Sequence, residues 1–236
     1  MVYTGCCDPK ESDVKVTTAD LAAYLLRQCR AKVHAVNSPG LIAITGASCS
    51  GKSLLARSLA WRARNLGFEV TLHHLTEYQN PAAWPQEMPR DRAYYAHAFD
   101  MAGFIDAVHK DAATRRDSTP GFVVAEGEFL LRKQFNTLWD YSVWIDTEDD
   151  LVVHRARTRD LENMSASELN AIRSPDSVEQ VYRLFCLPAL RLHLEQDAPA
   201  KHASIVVASL EDGWEVDVPA AGDSDGERLA AGEADD

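Results

Sequence analysis

Cysteine is sparse in this chain, and its placement carries no framework. Cys6, Cys7, Cys29, Cys49 and Cys186 show no C-x-x-C spacing and no even pairing pattern, which argues against a disulfide scaffold and against a zinc site. Reduced thiols in the cytosol are expected. Long apolar runs are missing too: no segment has the length and hydropathy to cross a bilayer, and the first residues lack the charged stretch and apolar run of a targeting signal. The adjacent Cys6-Cys7 pair has no second membrane signal beside it. The expectation is a soluble, cytoplasmic protein without a membrane partner. An excess of positive charge is the third absence. The formal net charge is −12, of which −9 lies in residues 211–236, where ten acids face one arginine. The rest is nearly balanced, with no basic field of the kind a nucleic-acid partner requires. No internal repeat is visible. At 236 residues the chain is long enough for one sizeable core. It divides into a flexible lead-in at 1–16, a domain at 17–210 and an acidic tail at 211–236 expected to be disordered.

Against these absences stands one stretch that fits G-x-x-x-x-G-K-[ST] at every fixed position: Gly46, Ala47, Ser48, Cys49, Ser50, Gly51, Lys52 and Ser53. Before it, Leu41-Ile42-Ala43-Ile44-Thr45 is a short apolar run of strand type. After it, Leu54, Leu55, Ser58, Leu59 and Trp61 recur at helical spacing. Strand, loop and helix in that order make a phosphate cradle: small residues turn backbone N–H groups inward, and the helix adds the positive end of its dipole. In that cradle Lys52 would reach the outer phosphates and the Ser53 hydroxyl would hold Mg2+.

Along the rest of the chain, strand and helix signals alternate. Thr17 to Asp20 supplies N-cap candidates for a helix running to about Asn37, and Phe68 to Leu75 reads as a second strand after Asn65-Leu66-Gly67 closes the P-loop helix. Asn80 to Pro89 is an irregular loop and Asp91 opens a helix. Phe122 to Ala125 is a fully apolar strand ending at Glu126-Gly127, and a short helix leads to about Trp139. Tyr141 to Asp146, a charged helix from Asp149 to about Glu162, a helix from Pro175 to Gln196 and a last strand from Ala203 to Ser209 complete the series. Strands apolar on both faces that alternate with helices predict an α/β fold, a parallel sheet covered on both sides.

Glu126 is the second candidate, because an acid placed straight after a buried strand sits at the carboxyl edge of the sheet, where open α/β folds bind ligands. It is placed to bind Mg2+ through a water. Arg155 and Arg159 share one face of their helix while Arg157 points elsewhere. Two guanidiniums on one face suit a transferring phosphoryl group, and a solvated helix face explains them equally well. His73 and His74 point to opposite faces of their strand and read as ordinary strand histidines. Trp61, Trp139 and Trp144 read as core, and Cys49 as an inert small side chain in the loop. Glu126-Gly127-Glu128-Phe129 holds no D-x-x-G, and N-K-x-D occurs nowhere, so a GTPase is disfavoured and a kinase of small molecules is left in front.

Over about residues 40–208 the chain resembles the uridine kinase and phosphoribulokinase family of P-loop kinases. The matching residues are Gly46 to Ser53, the strand ending in Glu126-Gly127, Ile145-Asp146-Thr147, Arg155 with Thr158 to Glu162, and Val178-Glu179-Gln180 to Leu187-Pro188-Ala189. The resemblance implies a three-layer αβα sandwich with strand order 2-3-1-4-5, an arginine-bearing lid at Arg155 and Arg159, and ATP-dependent phosphorylation of a hydroxyl. Three places depart from the family pattern. Leu75-Thr76-Glu77-Tyr78 stands where the family has an Asp that accepts the hydroxyl proton, which makes Glu77, one residue later, the candidate base. Tyr94 to Asp100 replaces the segment whose first Asp holds a ribose. Only Arg115 to Gly121 separates helix from strand where uridine kinases insert a base-gripping hairpin, a shortening similar to nicotinamide riboside kinases. The expected acceptor is a nucleoside or related small metabolite, with homo-oligomerisation left open. A degenerate kinase that binds nucleotide with little transfer, and a phosphate-ester ATPase, are the competing readings.

Overall fold

A computed structural model describes residues 13–33, 38–80, 85, 87–114, 120–163 and 175–217. The lead-in through residue 12, the tail from 218, Cys6-Cys7 and half of the Asn80 to Pro89 loop lie outside the described residues. Seven strands, β1 Asp13–Val16, β2 Gly40–Gly46, β3 Glu69–His74, β4 Gly121–Gly127, β5 Tyr141–Asp146, β6 Ile205–Leu210 and β7 Gly213–Asp217, form one sheet in the order β1-β7-β6-β5-β2-β4-β3. The helices are α1 Thr18–Val33, α2 Lys52–Asn65, α3 Arg90–His97, α4 Met101–Thr114, α5 Asp149–Asn163, α6 Pro175–Val181, α7 Leu187–Asp197 and α8 Pro199–His202, with a π turn at Tyr182–Cys186 between α6 and α7.

The centre of the sheet follows directly from composition. Strands β4 and β5 are buried along their length except for Asp146, and β2 is buried except at Leu41. Parallel strands covered on both faces have no solvent side for polar residues. On one face Leu21 and Leu25 of α1 and Leu55 and Leu59 of α2 pack over Ile42, Ile44, Val124 and Val143. On the other, Phe104 and Val108 of α4 cover Ala43, Val123 and Ala125 together with Phe129 and Leu130. That makes three layers.

The sheet as a whole differs from the expected five-stranded order 2-3-1-4-5. The five parallel strands follow one another as β3-β4-β2-β5-β6, and an antiparallel pair, β7 and β1, extends the β6 edge. Both added strands fall in segments read from composition as lead-in and tail. Their pattern is short and polar, but Trp214 and Val216 are buried against α1 and α2, and Trp214 Nε1 donates to Thr18 Oγ1 at 3.0 Å. Two large apolar side chains anchor a strand that its charge content conceals.

Other boundaries shift for local reasons. Thr17 caps α1 as expected, its Oγ1 accepting the Asp20 N–H at 3.2 Å. The helix expected from Asp91 onward is broken in two by a bridge between Gln79 and Phe99, and Asp100 caps α4 by accepting the Gly103 N–H at 3.0 Å. No helix forms between Glu128 and Trp139; that stretch is a series of turns. Trp139 and Trp144 are core residues, whereas Trp61 is 64% exposed on the outer face of α2. Among the described residues no helix is long and apolar enough to cross a membrane.

Candidate active site

The P-loop connects β2 to α2 at the carboxyl edge of the sheet. Gly51 closes it with φ +95°, a left-handed backbone that glycine adopts freely, and a Cβ there would lie 2.8 Å from the Trp214 ring. Cys49 is also left-handed, at φ +58°, so the loop carries a strained non-glycine residue at its centre. The Lys52 ammonium is buried and bonded to the Ala47 carbonyl. The buried Ser50 hydroxyl has no hydrogen-bond partner among the described residues.

Strand register brings the second candidate beside the first. His74 at the end of β3 lies opposite Glu126 of β4, which lies opposite Ile44 of β2. Ser53 Oγ donates to Glu126 Oε1 at 2.8 Å, and His74 Nδ1 lies 2.7 Å from the same oxygen. Glu126 is only 3% exposed. A hydroxyl and a buried carboxylate side by side form a pair of hard oxygen donors suited to Mg2+ and its waters. His73 faces the other way and meets Asp111 at 3.2 Å, as strand geometry requires. His74 is the residue that alternation alone missed. Its signal lay in the neighbouring strand, whose acid it meets across the ladder.

The two arginines of α5 both line the pocket but are held differently. Arg155 donates to Ser209 Oγ at 2.8 Å, to the Leu210 carbonyl and, at 3.4 Å, to the Cys49 carbonyl. Burial lowers its pKa from the usual guanidinium value. Arg159 is exposed and donates to the Tyr182 hydroxyl at 2.9 Å, which in turn lies 3.2 Å from Ser48 Oγ and 3.6 Å from Cys49 Sγ. Tyr182 thus links α5 to the P-loop, from a π turn of the kind found at functional sites. Burial raises its hydroxyl pKa. Arg157 points away, toward Glu179.

The pocket over the P-loop has a volume of about 280 Å³ and is closed on the far side by Leu75, Thr76, Phe99, Gly127 and Glu128. Glu77 is not in that wall. Leu75–Tyr78 forms a single 3-10 turn in which Leu75 is buried, Thr76 reaches the pocket and Glu77 goes to solvent. The candidate base is therefore exposed and outside the pocket. Glu128, which in the sequence marks only the absence of D-x-x-G, stands in the wall instead. Tyr94 Oη donates to its carboxyl oxygens, 3.3 Å from each. Burial pushes the Glu128 carboxyl above the usual carboxylate range, with the Lys52 charge and bonds from Tyr94 and Ser48 acting in opposition. Burial likewise raises the nearby Cys186 thiol, to about 12.

The turn that presents Glu128 is braced. Phe129 has φ +62°, a conformation costing on the order of 1–3 kcal/mol that persists only where the surroundings impose it. Its ring is fully buried and meets Tyr94, Tyr95 and His193 edge-on. Behind it, Asp197 accepts bonds from the Tyr95 hydroxyl, from the Lys133 N–H at 3.0 Å and from His193 Nδ1 at 2.7 Å. Burial raises the Asp197 carboxyl, but those bonds outweigh it and hold the group below its ordinary value. Burial lowers His193.

No protein-family model matches the chain. The uridine kinase of Lactococcus lactis subsp. lactis is 24% identical over 172 residues, 64% of this chain and 84% of the relative. The structure of a possible uridine kinase from Bacillus stearothermophilus superposes with a TM-score of 0.55 at 19% identity, covering 79% of this chain and 97% of that one. The D-glycerate 3-kinase of Cryptococcus neoformans var. grubii does so with a TM-score of 0.55 at 12% identity, over 84% and 97%. These structural likenesses establish the fold.

Proposed function

We propose, from its likeness to a uridine kinase and to uridine kinase-like structures, that the chain is a kinase of the uridine kinase and phosphoribulokinase type that transfers the outer phosphoryl group of ATP to a hydroxyl of a nucleoside or related small metabolite in the cytoplasm. The observation that carries this reading is the convergence of Lys52, Ser53, Glu126 and Arg159 on one pocket whose far wall holds polar groups for a second, small substrate. Phosphoryl transfer asks a protein for positioned positive charge and alignment rather than covalent chemistry. Lys52 and Arg159 supply the charge, and the backbone of Gly46 to Ser53 the alignment. Ser53 and Glu126 are the residues that would hold Mg2+, which neutralises the outer phosphates when bound. Arg155, fixed between the P-loop and β6, orders the lid helix beside them.

The experiment is transfer of labelled phosphate from ATP to a panel of hydroxyl acceptors by the wild-type chain and by Lys52→Ala. Acceptor-dependent transfer lost in the variant is expected; equal turnover by both refutes the reading. A nucleotide-binding protein with little transfer is the second reading, favoured by Thr76 and an exposed Glu77 where the family places its base. It requires nucleotide binding without acceptor-dependent turnover.

A further inference from the structure

Three positive side chains line the pocket among the described residues, and all are committed to the phosphate side. Lys52 is bonded to the Ala47 carbonyl, Arg155 to Ser209 and the Leu210 carbonyl, and Arg159 to Tyr182, whose hydroxyl touches Ser48. The opposite wall is of another kind. Leu75, Thr76 and Phe99 are apolar or neutral there, and the charged side chains that line the pocket with them are the carboxylates Glu126 and Glu128. Glu126 is occupied by Ser53 and His74. Glu128 accepts from the Tyr94 hydroxyl at a long 3.3 Å to each oxygen and from the Ser48 hydroxyl, with the Lys52 and Arg159 charges near it, which leaves acceptor capacity on a carboxyl that has two oxygens and about four lone-pair sites.

We propose, building on the kinase reading above, that Glu128 receives the hydrogen bond of the acceptor hydroxyl and that the acceptor is a neutral or cationic polyol, sugar or nucleoside, not a carboxylate or a phosphate ester. The turn holds Glu128 rigidly enough for this. Phe129 is locked among three rings, the Leu130 N–H donates to Thr45 Oγ1 at 3.4 Å, and Trp139 Nε1 donates to the Leu130 carbonyl at 3.1 Å. A rigid wall of this kind positions a substrate group more precisely than a loop does. An anionic acceptor entering beside ATP meets the Glu128 carboxylate, while the cations among the described lining residues are already engaged at the P-loop, at β6 and at Tyr182. Rejection by like charge in a partly desolvated pocket is strong. The shared fold with D-glycerate 3-kinase makes the distinction testable, since that protein's name gives it a carboxylate-bearing acceptor.

The test uses the full chain with ATP and Mg2+ and four acceptors: uridine, D-ribose, D-glycerate and ribose 5-phosphate. Wild type is expected to turn over a neutral acceptor and neither anion. Glu128→Gln should lower kcat/KM for that acceptor by roughly tenfold or more, the worth of one hydrogen bond to a charged group, with KM for ATP and the melting temperature near wild type. Glu128→Asp should recover part of the loss. Preferential turnover of either anion, or an unchanged acceptor KM and kcat in Glu128→Gln, overturns the inference while leaving the kinase reading intact. Absence of turnover with all four acceptors overturns the kinase reading and the inference together.

Discussion

The phosphate end and the acceptor end of the pocket are built from different material. At the phosphate end eight consecutive residues make the cradle, and most of its donors belong to the backbone. At the acceptor end the wall comes from a 3-10 turn after β3, from Phe99 between α3 and α4, and from the turn after β4. Consecutive residues leave a spacing that can be read in one dimension. A wall gathered from three loops leaves none, and its chemistry changes when any one loop shifts by a residue, as Glu77 illustrates.

The sharpest way to break this contrast is at Lys52. Lys52→Ala should reduce phosphoryl transfer by about 10³-fold or more, the scale of losing a positioned transition-state charge, with the melting temperature little changed. A wild-type rate would remove the phosphate end from the chemistry. Trp214→Ala comes next. Removal of a buried indole costs about 3–5 kcal/mol, and because that ring packs on Gly51 the variant should also weaken nucleotide binding. Denaturant unfolding combined with nucleotide titration reads both, and a large loss of stability with intact affinity would separate β7 from the P-loop.

The Asp197 cluster behind the acceptor turn gives a pH-dependent effect. Asp197 is held below its ordinary value and His193 is lowered, so for both groups the unfolded chain binds more protons and stability rises with pH. Acidification should destabilise the fold first just below the ordinary histidine range, as unfolded His193 takes up a proton, and again as pH falls through the lowered Asp197 value. At neutral pH Asp197→Asn should lower the melting temperature by roughly 3–8 °C, and the gap from wild type should narrow in acid; a gap constant with pH would contradict the assignment. The smallest effect belongs to Glu77. Being exposed and outside the pocket, Glu77→Gln should stay within about twofold of wild type in steady-state kinetics, and a loss of tenfold or more in kcat would return it to the acceptor end.

Much of the architecture was legible because it rests on local rules. Apolar strands such as Phe122 to Ala125, the Thr17 cap and the Gly-Lys-Ser turn into α2 are set by residues close in sequence. The antiparallel strands were hidden because Trp214 and Val216 are buried by α1 and α2, nearly the whole domain away in sequence, while the acidic composition around them resembles a tail. Glu126 was legible as a strand-end acid. Glu128 was not, since its place in the pocket depends on the left-handed Phe129 and on three aromatic rings that only the folded chain brings together. Trp61 misled for the opposite reason: helical spacing marks a face but does not say whether anything covers its margin.

The most direct measurement is transfer of the labelled γ-phosphate of ATP, with Mg2+ present, by the wild-type chain and by Lys52→Ala, each with and without a neutral hydroxyl acceptor. A phosphorylated acceptor formed by wild type and absent with the variant is the expected result. Phosphate released at the same rate whether or not acceptor is present, or no difference between the two chains, would contradict a kinase built on Gly46 to Ser53.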